Sequence, residues 1–364
     1  MIKVFVSGYW KSNLGDDLFL KILCEKYPNV KFYVFLDRKN SRQFQRFANL
    51  TIIYNNLLFR LINKLLRKIG LLQVQDVLAP MLTDCFLEIG GSIFMQDDNW
   101  EYRLKQRAYA RERYSQYFII GSNFGPFYSQ DYIEKYGDLF NKLNGISFRD
   151  SYSYNLFKVK NITRASDVIF GLRTNSYQFE YKKKQAVISV IDTSKKKTDT
   201  GSNFQDSYER KIIDIVDELT YTGYKVILMS FCDFEGDTTV VNRIYYHLNN
   251  NKNVEIFEYI DDIDTAIRII SESEKVIASR FHAAVLGLML GCQVLPIAYS
   301  GKMKNLIDDI YKEKKWMSIE EFINNGNLND SNFVHLMRDE IEFIVSDSEN
   351  QFMFFDNFIR SRNK

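Results

Sequence analysis

The 364-residue chain is predicted to be an α/β protein of two successive Rossmann-like domains facing a cleft, with helices closing its C-terminus. Three observations predict this. Apolar runs of strand length alternate with helical patterns, as parallel sheets require. The alternation breaks once, at the polar stretch around 171–184, and then restarts. The length exceeds what one ordinary core supports and suits two. The segments are then 1–175 for the first domain, 185–330 for the second, and 331–364 for closing helices.

In the first domain, 2–7 is a buried strand, followed by strands at 31–36, 51–54, 85–89, 117–121 and 145–148. Helical patterns lie between them near 15–26, 41–48, 56–69, 101–112 and 130–142. In the second, strands at 186–191, 225–231, 254–257, 275–278 and 294–297 alternate with helices at 207–222, 237–249, 263–271 and 281–290. Segments 331–345 and 350–361 read as the closing helices. The polar segment "DTSKKKTDTGSNFQD" (192–206) follows the first strand of the second domain. Loops at that end of an open α/β sheet border ligands, so it is either a lid or a solvated surface loop.

A formal net charge of +2 gives no nucleic-acid signal. Cys24, Cys85, Cys232 and Cys292 lie far apart in apolar stretches, without metal-ligand spacing, and read as buried thiols of a reducing compartment. The apolar run before Gly8 is too short for a secretory signal, and no window is long and apolar enough to span a bilayer. These features point to the cytoplasm. No metal is called for.

The chain has three histidines. One of them, His282, stands beside Arg280 in "ASRFHAAVLGLMLGCQ" (278–293), where a strand becomes a helix. A helix N-terminus carries partial positive charge and disfavours cations there by roughly 0.3–1 kcal/mol. Arg280 and His282 make sense at that position if an anion shares the helix amides with them; Ser279 is a candidate cap. Arg149 is placed alike in "GISFRDSYSYNLF" (145–157), after a first-domain strand and before a helix opened by Asp150 or Ser151. The two arginines could grip one small anion. Alternatively, Arg149 pairs with a carboxylate and His282 is a satisfied core histidine.

Glycine turns follow strands at three further places. They carry Gly8, Asn13 and Gly15; Gly90, Gly91 and Ser92; and Gly121, Ser122, Asn123 and Gly125. Glycines there let backbone amides approach a ligand. None forms GxGxxG or GxxxxGK[ST], so a standard dinucleotide or NTP site is not supported.

Together these stretches resemble the polysaccharide pyruvyl transferase family. The resemblance runs from "GYWKSNLGDDLFL" (8–20) through "EIGGSIF" (88–94), "GSNFGPF" (121–127), "SFRDSYS" (147–153) and "ASDVIF" (165–170) to "SRFHAAVLGLMLG" (279–291) and "AYSGKMKNL" (298–306). Two departures stand out: Val168 replaces the proline expected after Asp167, and "SFCDFEGDT" (230–238) lacks the usual Pro and His. The resemblance implies a GT-B-like architecture and phosphoenolpyruvate as pyruvyl donor, with no further cofactor. The acceptor would be a hexose of a surface polysaccharide or its lipid-linked precursor, and the product a cyclic pyruvate ketal. By the motif, Arg280, His282, Ser279 and Phe281 sit at the donor site, with Arg149 as a less specific match. His282 is the candidate general acid/base, since imidazole titrates near neutrality. Lys302 is either a contact for the donor phosphate or a surface lysine. Asn13, Gly15, Asp16, Asp17, Gly90, Gly91, Ser92 and Asn123 belong to the cleft loops. Asp16 or Asp17 is either a base for the acceptor hydroxyl or a favourable helix-start charge. Substituting Arg280 or His282 by alanine is expected to abolish transfer and leave the fold intact.

Two rival functions are a GT-B glycosyltransferase using a nucleotide sugar and a non-catalytic anion- or glycan-binding protein of a polysaccharide assembly complex. The segment "NLLFRLINKLLRKIG" (56–70) bears on the acceptor. Its apolar positions 58, 61, 62, 65 and 69 interleave with four cations. It is either an interfacial helix for peripheral contact with anionic lipid or, by default, an amphipathic helix packed on the first-domain sheet.

Overall fold

The computed structural model describes residues 1–173, 181–194, 204–248, 251–324 and 329–362. Most of the polar segment 192–206, read as either a lid or a surface loop, falls outside them. The chain forms two compact units. One comprises Met1–Trp10, Asp16–Gly171 and Val345–Lys364; the other comprises Lys11–Gly15 and Leu172–Ile344. The C-terminal stretch set apart in the sequence is thus divided: its last residues lie with the first unit.

The elements run β1 (Lys3–Ser7), α1 (Leu14–Lys26), β2 (Lys31–Leu36), β3 (Leu50–Tyr54), α2 (Leu57–Lys68), α3 (Val74–Leu82), β4 (Cys85–Ile89), α4 (Trp100–Arg113), β5 (Gln116–Ser122), α5 (Gln130–Phe140), β6 (Gly145–Phe148), α6 (Ser151–Asn155) and β7 (Ile162–Arg164). They continue with β8 (Lys183–Ser189), α7 (Gln205–Tyr221), β9 (Lys225–Ser230), α8 (Asp237–His247), β10 (Val254–Glu258), α9 (Ile263–Glu272), β11 (Ser273–Ala278), α10 (Phe281–Met289), β12 (Gln293–Ala298), α11 (Gly301–Tyr311), β13 (Met317–Ser318), α12 (Ile319–Asn324), α13 (Arg338–Ser348) and α14 (Met353–Arg362).

Among the described residues each unit holds one sheet. The first has the order β3-β2-β1-β4-β5-β6-β7, the second β10-β9-β8-β11-β12-β13. Neighbours in both are parallel, as in Val4 against Cys85 and Ile277 against Ile188. Strand order reverses between β1 and β4 in the first sheet and between β8 and β11 in the second. In open α/β sheets, ligands bind outside the carboxyl ends of the strands at such a switch point. The glycine pair Gly90–Gly91 follows β4, and Ser279–Arg280 follows β11.

The aromatic residues pack as core. Phe94, Phe124, Tyr132, Tyr136, Phe140, Phe148 and Phe157 form one buried cluster in the first unit. Ring centroids there approach to 4.7 Å (Tyr132 with Tyr136) and 4.8 Å (Phe124 with Phe157), distances at which edge-to-face pairs add to area burial. The C-terminal stretch seals the same unit. Gln351, buried between the ends of β5, β6 and β7, accepts the Gly121 N–H (3.0 Å) and donates to the carbonyls of Ala165 (2.7 Å) and Ser166 (3.0 Å). It satisfies backbone groups where the strands diverge.

The structure corrects three local expectations. Segment 41–48 is not a helix. Short 3-10 turns at Arg38–Asn40 and Arg42–Phe44 stand there instead, because Asn40 turns inward to donate to the Trp10 carbonyl (2.9 Å) and Gln43 to Asp17 (2.8 Å). Ser279 does not cap α10: the cap position is Arg280, without a side-chain bond, and the buried Ser279 hydroxyl meets Tyr208 Oη at 2.8 Å. Nor does α2 bury its apolar stripe on the sheet. None of its residues is buried, and Leu57, Leu58, Leu61 and Leu65 are 58–71% exposed.

Candidate active site

In the second unit, β11 runs out at Ala278 beside β8. The Ser279 N–H donates to the Ser189 carbonyl (3.3 Å) and the Arg280 N–H to Ser189 Oγ (3.1 Å). This pins the start of α10 at the switch point. The helix has no acidic residue in its first turn, so no carboxylate of its own neutralises that end.

Arg280 is almost fully buried. Its guanidinium donates through Nε to Asp237 Oδ2 (2.8 Å), through Nη2 to Asp237 Oδ1 and through Nη1 to Glu235. Asp237 is wholly buried and also accepts the N–H groups of Phe231 (3.2 Å) and Cys232 (3.0 Å). Burial pushes the Asp237 carboxyl up, against the Arg280 charge that pulls it down. Burial also works against the Arg280 charge, but Asp237 and Glu235 outweigh it and hold the guanidinium protonated. The Glu235 side chain keeps 33% of its surface exposed. Asp237 is therefore the buried partner of Arg280 and Glu235 the partly exposed one.

The same loop after β9 places His282. The Leu14 N–H donates to the Phe231 carbonyl (3.0 Å), and Asn13 forms an antiparallel bridge with Cys232. Asn13 Oδ1 accepts the Gly15 N–H at 3.1 Å. Gly15 is buried against the His282 ring so closely that a Cβ there would overlap Nδ1. Phe281 closes another side of the imidazole, edge-on at 5.0 Å. Asn13, Gly15, Arg280, Phe281 and His282 thus come together around one loop.

The neighbouring strand β12 delivers a second helix start. Ser300 occupies the cap position of α11 without a side-chain bond, and its buried Oγ has no partner among the described residues. Lys302 follows in the first turn, its ammonium 5.6 Å from the Tyr299 ring centroid. Adjacent parallel strands lie about 5 Å apart, so α10 and α11 start from neighbouring strands. Two helix N-termini, an imidazole and an ammonium suit a ligand with more than one anionic group.

The other predicted residues sit in the first unit. Arg149 is buried, donating from Nη1 to Asp167 Oδ2 (2.9 Å) and from Nη2 to Asn123 Oδ1 (2.6 Å). Of the alternatives the sequence leaves open, the structure gives it a carboxylate partner. Gly91 lies beneath the guanidinium, where a Cβ would stand 2.5 Å from Nη2. The Gly91 carbonyl accepts the Asn123 N–H (2.8 Å), and Ser92 Oγ lies 3.4 Å from Asn123 Oδ1. The glycine pair, Ser92, Asn123 and Arg149 form one knot. Asp17 is fully buried with Gln43, whereas Asp16 is half-buried, its Oδ1 3.8 Å from where a Gly90 Cβ would lie.

The sequence passes over two features. Glu235 and Asp237 hold Arg280 from within "CDFEGD"; two acids around a glycine just after a strand end were the available signal. The first unit also contains a pocket of about 290 Å³ beside β1 and β4, lined by Trp10, Phe86 and Glu88 and by Gln75, Asp76 and Gln106. Burial raises the Asp76 carboxyl, which accepts from Gln106 Nε2 at 2.8 Å. Among the described residues no group of His, Cys, Asp or Glu is arranged to hold a metal ion.

Fold and site define a two-unit α/β protein of the GT-B type with a basic locus at a switch point. A family model described as polysaccharide pyruvyl transferase matches residues 13–301, and the chain belongs to that family, a family of transferases. Solved structures agree on the fold. UDP-GlcNAc 2-epimerase from Neisseria meningitidis, bound to UDP-GlcNAc, matches with TM-score 0.57 and 10% identity over 95% of this chain and 99% of that one. The enzyme of the same name from Methanocaldococcus jannaschii matches with TM-score 0.53 and 10% identity over 98% and 100%. Anabaena HepE in complex with UDP matches with TM-score 0.52 and 9% identity over all of both chains. Identities this low speak for the fold alone.

Proposed function

We propose that this protein transfers the pyruvyl group of phosphoenolpyruvate onto two hydroxyls of one hexose in a glycan, forming a cyclic ketal and releasing phosphate. The observation that carries this is the locus in the second unit. In a chain of this family, an arginine fixed by Asp237 and an imidazole seated on Gly15 stand at the start of α10, beside the Ser300–Lys302 start of α11. Phosphoenolpyruvate has a carboxylate and a phosphate, two anions for two helix starts. One takes the place of Glu235 on Arg280; the other meets Ser300 and Lys302.

A proton is added to the methylene carbon, and the adjacent carbon becomes oxocarbenium-like. One sugar hydroxyl attacks that carbon, the bond to the phosphate oxygen breaks, and the second hydroxyl closes the ring. Of the two hydroxyl protons lost, one balances the new methyl group and the other leaves with phosphate. His282 is the acid/base group for these transfers. On the first unit, the pocket beside β1 and β4 takes the hexose: aromatic rings beside amide and carboxyl groups suit a sugar ring and its hydroxyls.

Phosphate release from phosphoenolpyruvate should depend on a hexoside acceptor, with the acceptor gaining the mass of a pyruvate ketal. A panel of α- and β-hexosides checks this. Turnover of a nucleotide sugar without turnover of phosphoenolpyruvate would overturn the proposal. Because Glu235 competes for Arg280, Glu235→Gln is expected to lower KM for phosphoenolpyruvate severalfold with little change in kcat; initial-rate kinetics read both. An unchanged or raised KM would remove Glu235 from the donor's path.

A further inference from the structure

The apolar stripe of α2 faces away from its own unit. At 100° per residue, Leu57, Leu58, Leu61, Ile62, Leu65 and Ile69 fall on one side of the helix, and all are exposed. The opposite side, with Phe59, Asn63 and Leu66, is only half-buried. Asn63 fastens it to α3, donating to Gln75 Oε1 (2.8 Å) and accepting the Val74 N–H (2.8 Å). The adjoining α3 also exposes apolar residues, Val77, Met81 and Leu82, Met81 by 77%. Isolated exposed apolar residues are ordinary; a contiguous patch marks an interaction surface.

Charge decides what covers it. Lys64 and Lys68 lie along one edge of the stripe, Arg60 and Arg67 follow behind them, Arg60 paired with Asp37 (3.2 Å), and residues 56–75 contain no aspartate or glutamate. A second copy packed antiparallel on this face about a two-fold axis would set these cations, all on one flank, against themselves. An apolar stripe edged by lysine and arginine is instead the pattern of a helix lying in the interface of an anionic membrane, leucines among the acyl chains and cations at the headgroups.

We infer that α2 and the exposed edge of α3 form a membrane-docking surface for anionic lipid. It also bears on the acceptor, in a step that rests on the proposed activity: α3 supplies Gln75 and Asp76 to the first-unit pocket. A hexose carried on a membrane-embedded lipid therefore meets its pocket next to the docking surface.

Co-sedimentation of the full chain with vesicles tests the docking directly. Binding is expected to vesicles of phosphatidylglycerol mixed with phosphatidylcholine at low salt, to weaken as salt rises, and to be far weaker with phosphatidylcholine alone. Leu58→Gln/Leu61→Gln/Leu65→Gln should reduce binding at least tenfold without lowering Tm. Lys64→Glu/Lys68→Glu should reduce it by about fivefold or more for each cation reversed and remove most of the salt dependence. Three results would each overturn the inference: no binding of the wild-type chain to anionic vesicles, equal binding to both vesicle types, or a triple variant that sediments like wild type. Self-association lost in the triple variant, without vesicle binding, would assign the face to a second copy. Turnover of a water-soluble hexoside should be unchanged in both variants, so failure of the pyruvyl reaction and failure of docking are read separately.

Discussion

Arg280→Ala is expected to abolish pyruvyl transfer and, unlike a surface substitution, to destabilise the second unit. The loss of activity follows from removing a guanidinium that the donor anion engages; deletion of one such stabilising donor costs about a hundredfold or more. The loss of stability follows from what is left behind. Asp237 is wholly buried, and two of its bonds come from Arg280. Breaking a buried pair by deleting one partner costs about 3–5 kcal/mol, because the other charge remains uncompensated. The sequence alone leads one to expect an intact fold; the structure revises this. Two variants separate the effects. Arg280→Ala/Asp237→Asn removes the stranded charge while the amide oxygen still accepts from Phe231 and Cys232, so part of the stability should return with no activity. Arg280→Lys keeps a charge against Asp237 but loses the planar fork, so stability should be largely kept and kcat/KM should fall. Thermal unfolding beside steady-state kinetics reads all three. A single alanine variant as stable as wild type would show that Arg280 is not the partner Asp237 needs.

The residues that could be located in advance were those at odds with their local setting. Strands buried on both faces of a parallel sheet are continuous apolar runs, so β1, β4, β8 and β11 are legible. β13 has two residues and β7 three, too few to carry a pattern. α3 escaped because Pro80 sits inside it and its apolar residues follow no clean period. Arg280 and His282 were legible as a conflict: cations at the positive end of a helix. Their partners were not, because Asp237 lies 43 residues before Arg280 and meets it through the β9-β8-β11 order of the sheet. Orientation was the other hidden quantity. The periodicity of α2 defines an apolar face, but only the placement of Asn63 against α3 determines that this face looks outward.

The second large effect is expected at a residue with no side chain. Gly15 lies in the first turn of α1, where alanine is intrinsically favoured over glycine by about 1 kcal/mol. Local propensity therefore predicts that Gly15→Ala stabilises the helix. The packing predicts the opposite, since the new methyl group would occupy the place of the His282 ring. The imidazole must move, because the Gly15 backbone is held by Asn13 Oδ1 and, one residue earlier, by the Phe231 carbonyl. Overpacking of this kind costs about 1–3 kcal/mol, enough to cancel the propensity gain. Displacing an acid/base group costs about 10²–10⁴ in rate. Gly15→Ala should therefore lower kcat to nearly the level of His282→Ala, with phosphoenolpyruvate binding largely kept. In Gly15→Ala/His282→Ala the methyl group has room, so stability should recover while kcat falls no further than in His282→Ala. That non-additivity is the signature of one residue acting through another. A Gly15→Ala variant with wild-type kcat would mean that the imidazole does its work from a position Gly15 does not set.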